Sequence, residues 1–196
     1  MSEILILYYS RNGSVEHLAN MIARGVAEAG GTARLRTVPS VSPNHLATEA
    51  SVPPSGAPYV SKQDLAECSG LILGSPTRFG NMAAPMKYFW DTTGAEWASA
   101  ILVNKPAGVF TSTASMHGGQ ESTLLTMMIP LLHHGCIIVG VTFSESAVSN
   151  THTGGTPYGA SHVSGTDGKL PFSDDENVIA KALGKRIAQI SSKLSA

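Results

Sequence analysis

The run Ile4-Leu5-Ile6-Leu7-Tyr8-Tyr9 constrains this chain more than any other segment. It is apolar at every position, with no alternation, so both faces of the strand it predicts must be covered. Strands of that kind belong to parallel sheets, and parallel neighbours need a crossover, usually a helix. The sequence supplies one at once. After the polar turn Ser10 to Ser14, the residues Val15, Leu18, Ala19, Ile22 and Val26 recur at helical spacing, and Gly30-Gly31 stops the helix.

The same alternation continues down the chain. Thr32 to Val38 reads as a second strand, nearer an edge because Arg34 and Arg36 interrupt it. Leu71-Ile72-Leu73 predicts a third strand ending in Gly74-Ser75-Pro76. A helix then begins near Asn81, which suits a cap, with Pro85 in its first turn and Met82, Met86, Phe89 and Trp90 along it. Ala107 to Phe110 makes a fourth strand, and Leu124 to Leu132 a helix kinked or shortened by Pro130. Ile137 to Val141 makes a fifth strand. Ser173 with Glu176 forms a capping box before Val178, Ile179, Leu183, Ile187, Ile190 and Leu194, a final amphipathic helix. Two stretches fit no element: 39–63, broken by five prolines, and 149–172, rich in Gly, Thr and Ser. Right-handed crossovers place helices on both faces of a doubly wound, five-stranded parallel sheet. The expectation is a single α/β domain over 1–196, with 39–63 and 149–172 as long loop insertions.

Charge and composition exclude several classes of function. The net charge is −1 and the hydrophobic share 42%, which suits a compact chain without a nucleic-acid-binding stripe. No apolar stretch reaches the length of a membrane span, and the N-terminus lacks the basic region of a secretory signal. Cys68 and Cys136 show no motif spacing and read as free thiols of a cytoplasmic protein.

In open α/β sheets ligands bind beyond the carboxyl ends of the strands. The segments there are Ser10-Arg11-Asn12-Gly13-Ser14, then Ser75 to Asn81, then Thr111 to Gln120. All three are dense in hydroxyls and glycines. The first suits a phosphate: Ser10, Asn12 and Ser14 donate hydrogen bonds, Gly13 lets the backbone approach, and the helix from Val15 presents its N–H groups. An ordinary capping turn has the same composition, so the turn alone leaves both readings open. Walker A and G-x-G-x-x-G patterns are absent, as is a nucleophile elbow at Gly159 to Val163. Thr77-Arg78-Phe79 and Ser112 to Gly118 suit the walls of a flat ring system, with Arg78 stabilising negative charge on it. Neither segment holds Asp or Glu before Glu121. An acid-free site favours full two-electron reduction of a flavin, and so a reductase over a low-potential carrier. His117 has a positional claim to ligand contact. His133 reads either as a core-edge histidine or as a flavin contact from a neighbouring loop or subunit. Adjacent His133 and His134 share no helix face, and no metal-ligand spacing links His117, His133 and Cys136. Trp97 reads as a loop tryptophan, either packed core or the wall of an aromatic pocket or interface.

Five segments carry a family resemblance. They are Leu7-Tyr8-Tyr9-Ser10, Gly74-Ser75-Pro76-Thr77-Arg78-Phe79-Gly80-Asn81-Met82, Gly118-Gly119-Gln120-Glu121, His133-His134-Gly135 and Gly154-Gly155-Thr156-Pro157-Tyr158-Gly159-Ala160. In these the chain resembles the WrbA-type NAD(P)H:quinone oxidoreductases, which are flavodoxin-like homotetramers. The resemblance implies FMN, its phosphate held by Ser10, Arg11, Asn12, Gly13, Ser14 and Val15. It implies a flavin ring flanked by Pro76, Thr77, Arg78 and Phe79 and by Ser112, Thr113, Ala114, Ser115, Met116 and His117. It implies that His133 touches the flavin near a subunit boundary, and that Trp97 stacks in the quinone or nicotinamide pocket across the interface. The 154–160 loop would contribute to the tetramer and the pocket rim. Hydride would pass from NADH or NADPH to flavin N5, then both electrons to a quinone, with no side chain as acid or base. Asn12 and Phe143 stand where many members carry other residues, so they enter the expected nicotinamide pocket as departures. A flavodoxin-type electron carrier without NAD(P)H activity is the rival reading; a repressor-binding module and a hydrolase are weaker ones.

Overall fold

A computed structural model describes residues 2–41 and 52–194 of the chain. The elements run β1 (Glu3–Tyr8), α1 (Ser14–Glu28), β2 (Thr32–Thr37), α2 (Lys62–Glu67), β3 (Gly70–Arg78), β4 (Asn81–Met82), α3 (Ala84–Asp91), α4 (Gly94–Ala98), β5 (Pro106–Thr113), α5 (Gln120–His133), β6 (Ile137–Ile138), α6 (Ala147–Asn150), β7 (Ala160–Val163) and α7 (Asp174–Leu194). The strand order is β2-β1-β3-β5-β6, all parallel, with β7 also parallel on β5 and β4 antiparallel on β3. This is a doubly wound sheet of five parallel positions whose order reverses between β1 and β3.

The unbroken apolar run of β1 is buried on both faces. Ile4, Ile6 and Tyr8 pack with α1 and α7 on one side; Leu5 and Leu7 pack with α2, α3 and α5 on the other. β2 is the edge strand and is only half-buried, which is why it tolerates Arg34 and Arg36. Both arginines converge on Asp64, whose carboxylate also closes a capping box with Ser61 at the start of α2. Burial, the largest influence, pushes the Asp64 carboxyl up, but its hydrogen bonds from Ser61 and the two arginines hold it below the usual range. α2 begins at Lys62, in the last two residues of the Pro-rich stretch expected to be irregular, and runs beyond it to Glu67. Tyr59 also bridges to Thr37, while 42–51 of that stretch lies outside the described residues.

Three local expectations are corrected. The fifth strand does not run Ile137 to Val141: only Ile137–Ile138 pairs with β5. The chain leaves and returns as Ala160–Val163, beside Phe110 to Thr113, within the segment expected to be a loop. The sheet edge is completed by a segment more than twenty residues away, which no local pattern signals. Asn81 does not cap the next helix. Strand β3 runs on to Arg78, and Asn81-Met82 folds back on Thr77-Arg78 around Phe79-Gly80, both at positive φ (52° and 79°). Such a two-residue turn matches the twist of an antiparallel pair. The cap falls to Ala83, with Pro85 at the helix start. Pro130 does not shorten α5, which runs on to His133 although the proline removes the last-turn hydrogen bond to the carbonyl of Thr126.

Candidate functional site

A cavity of about 310 Å³ opens at the carboxyl ends of β1, β3 and β5. Its floor is the turn into α1. Gly13 adopts φ +89°, and its N–H donates to Ser10 Oγ at 3.1 Å. No side chain caps α1, so the first-turn N–H groups and the positive dipole end are left for a ligand beside Ser14 and Val15. Under the turn, Tyr8 Oη donates to Glu16 Oε1 at 3.3 Å. Burial, then the Glu16 charge, push the Tyr8 phenol up to about 12, so it remains a donor and pins the first turn to β1.

The end of β3 makes the second wall, with Pro76, Thr77 and Arg78. Thr77 Oγ1 accepts from Thr123 Oγ1 (2.8 Å) and Gly80 N (3.2 Å), which fixes the turn at Phe79-Gly80. Phe79 itself is fully exposed and holds a left-handed conformation that costs roughly 1–3 kcal/mol for such a residue. The third wall is Ser112, Thr113 and Ala114, at the end of β5. Thr113 Oγ1 donates to Ser115 O at 2.8 Å, and Gln120 Nε2 to Met116 O at 3.0 Å, so the next turn is tied at both ends.

A fourth wall was not legible in the sequence: Ser164, Gly165, Thr166, Asp167 and Gly168, between β7 and α7. Ser164 N donates to Thr113 O (2.8 Å), and Leu170 N closes the loop on Ser164 O (2.9 Å). Its outer end is held by Phe172, sandwiched between His17 and His162 at ring-centroid distances of 3.9 and 3.7 Å. Below it, the buried Glu176 carboxylate accepts from Gly154 N (2.8 Å), Val163 N (3.2 Å), Ser173 N (2.9 Å) and His162 Nδ1 (3.0 Å). The capping box of Ser173 and Glu176 is thus also the anchor of this wall. Asp167 corrects the expectation of an acid-free site: among the described residues it is the one carboxylate of the lining, and it comes from a loop that seemed remote.

Of the residues singled out by sequence, Ser10, Arg11, Asn12, Ser14, Val15, Pro76, Thr77, Arg78, Ser112, Thr113 and Ala114 line the cavity together. Gly13 shapes the turn behind it. Phe79, Ser115, Met116 and His117 stand exposed outside the lining. His133 and Trp97 are joined elsewhere: Trp97 Nε1 donates to His133 O at 2.8 Å, in a separate cavity of about 420 Å³ with Trp90 and His134. Trp97 belongs to the short helix α4 rather than a loop. His134 is buried against Thr93 (Nε2 to Oγ1, 3.0 Å), and burial pushes its imidazole below the usual range. Phe143 is exposed and lines neither cavity.

Hydroxyls, an amide and an uncapped helix start fit a phosphate monoester, as carried by FMN. Gly13→Ala tests this floor. A Cβ there meets no atom within 4 Å, so the cost is conformational, on the order of 1–2 kcal/mol. The expected outcome is about tenfold weaker FMN binding by fluorescence titration with little change in unfolding cooperativity. Unchanged affinity would remove the turn from the phosphate site.

Comparison with known proteins finds relatives along the whole chain. The profile of the NADPH-dependent FMN reductase family matches residues 3–149. A protein named NAD(P)H dehydrogenase (quinone) from Chromohalobacter salexigens is 44% identical over 100% of both chains. One of the same name from Gluconacetobacter diazotrophicus is 41% identical over 100% of both. Among solved structures, a WrbA-like flavodoxin from Agrobacterium tumefaciens superposes with a TM-score of 0.68 at 20% identity, covering 98% of this chain and 99% of that one. The two-electron reduced flavodoxin of Megasphaera elsdenii gives 0.59 at 18% identity, covering 95% and 98%. The fold is flavodoxin-like.

Proposed function

The chain belongs to the NADPH-dependent FMN reductase family, and from that membership we propose that it is an FMN-dependent enzyme that oxidises NADH or NADPH and reduces quinones by two electrons. The observation that carries this reading is the uncapped start of α1 at the floor of the cavity where β1, β3 and β5 end.

FMN, once bound, would supply the hydride chemistry between nicotinamide and quinone. The chain's own residues bind and orient it. Ser10, Arg11, Asn12, Gly13, Ser14 and Val15 take the phosphate. Thr77, Arg78 and Phe79 on one side, and Ser112 to His117 on the other, flank the ring. Ser164 to Gly168 close the remaining side, where Asp167 disfavours a second negative group. In our reading one domain carries both long insertions, and the protein is a homotetramer. His133, Trp97 and Phe143, which lie outside the cavity lining, then serve the nicotinamide or quinone pocket of a neighbouring copy. Exposed Leu125, Ile129 and Leu132 on one side of α5 support such a contact. A cytoplasmic setting suits the two buried free thiols, which burial pushes up to about 11 at Cys68 and about 12 at Cys136. No described helix is long and apolar enough to cross a membrane. We assign it no nucleic-acid partner.

Steady-state oxidation of NADH by the purified protein with FMN and benzoquinone tests the assignment. Turnover should require protein, FMN and quinone together. Turnover that survives omission of the protein or of FMN would refute it.

A further inference from the structure

Next to the cofactor cavity, and sharing Arg11 and Arg78 with it, lies a second hollow of about 570 Å³. Tyr9, Met82 and Lys87 are also in its wall. Among the described residues the wall carries three cations and no carboxylate. Neither Arg11 nor Arg78 makes an ion pair among the described residues; Arg78 Nη1 donates only to the backbone oxygen of Thr77, at 2.6 Å. Lys87 pairs with Asp91 one turn along α3, an exposed contact of small strength, and Asp91 lies outside the hollow. Guanidinium groups without a counter-charge on a concave wall recruit phosphates.

Contiguity decides which phosphate. A ligand spanning both spaces lays one end against the flavin and carries its anionic groups a short distance away. A nicotinamide dinucleotide has that form. We propose that this hollow is the phosphate subsite of the nicotinamide donor. Arg11 and Arg78, on the wall that the two spaces share, serve the bound FMN on one side and the donor's diphosphate on the other, and Lys87, in the second hollow alone, adds the third positive charge that favours NADPH over NADH. The inference rests on the reductase reading and deepens it, by naming the donor and the residues that select it.

The test uses the FMN-loaded protein and the variants Lys87→Gln, Arg11→Gln and Asp91→Asn. KM and kcat are measured for NADH and NADPH at low and high salt. Binding of NADP+ to the oxidised holoprotein is read separately from the flavin difference spectrum. The expected results are a lower KM for NADPH than for NADH, and weaker binding of both at high salt. Lys87→Gln and Arg11→Gln should raise the NADPH KM and the NADP+ Kd about fivefold, with kcat less affected. FMN affinity should be unchanged in Lys87→Gln, and Asp91→Asn should leave donor affinity the same or tighter, which separates charge from helix stability. Donor affinities within about twofold of wild type in both cation variants would overturn the proposal. If neither nucleotide reduces the flavin but NADP+ still binds with the same dependence on Lys87, the reductase reading fails and the subsite stands.

Discussion

Glu176→Ala is expected to cost about 4 kcal/mol of folding stability, the largest effect of any single polar truncation described above. The carboxylate is buried and accepts four hydrogen bonds, three from backbone N–H groups and one from His162. Removing it strands four donors, three of them buried and each of those worth roughly 1–3 kcal/mol when left unmade, some of which water would recover. The loss is also local. Gly154, Val163 and Ser173 come from the insertion loop, the end of β7 and the start of α7, so their common anchor goes. The wall Ser164–Gly168 should loosen, and FMN binding should weaken with it. Urea unfolding and FMN titration of the same variant measure both. The pH dependence follows from direction. Burial, the largest influence, pushes the Glu176 carboxyl up, but the bonds from His162, Ser173 and Gly154 outweigh it and hold it below the usual carboxylate range. A group depressed in the folded state stabilises above its unfolded pKa and loses that contribution as the pH falls through the folded value. Wild type should therefore lose stability on acidification below the ordinary carboxylate range, by an amount that Glu176→Gln lacks. Parallel acid profiles for the two proteins would show that the carboxylate carries no such linkage.

Gly25→Val is expected to cost about 3 kcal/mol or to prevent folding. α1 and α7 cross with backbone against backbone: a Cβ at Gly25 would collide with the carbonyl of Lys181, and one at Gly184 with the carbonyl of Ile22. No rotamer relieves a clash with a main-chain oxygen, so the helices must separate. They would take with them the packing of Ile22, Val26, Leu183 and Ile187 over the sheet. The phosphate-binding turn sits at the start of α1, so movement of this helix also disturbs the site. Gly94→Ala is the control. A Cβ there meets nothing within 4 Å, and its expected effect is within about 0.5 kcal/mol. Equal thermal midpoints for Gly25→Val and wild type would mean that the two helices are not in such close contact.

The parts of the site that were legible in the sequence are those built by contiguous residues. Ile4 to Tyr9 followed by Ser10 to Val15 announces a buried strand, a turn and a helix start within a dozen positions, and the structure has all three. Ser173 and Glu176 likewise announce a helix start. Two kinds of feature were hidden. The first is pairing at a distance: Ala160–Val163 is too short and too mixed to read as a strand, and becomes one only because β5 offers a free edge. The second is a side chain with several tasks. Glu176 reads as a cap, yet its other hydrogen bonds reach Gly154 and Val163, which no spacing rule connects to it. Asp167 was missed for the same reason, since Gly165-Thr166-Asp167-Gly168 has the composition of any surface turn. Asn81 shows the opposite error, in which a good local cap was overridden by the strand pairing of Thr77-Arg78.

The central claim is that this chain holds FMN so that a nicotinamide can reduce it and a quinone can reoxidise it. The most direct measurement is anaerobic titration of the FMN-loaded protein with NADPH and then benzoquinone, followed in the visible absorbance of the flavin. Bleaching should be complete at about one equivalent of nucleotide and recovery at about one equivalent of quinone, as a two-electron exchange requires. A flavin that stays bound but keeps its oxidised spectrum with both NADPH and NADH would contradict it.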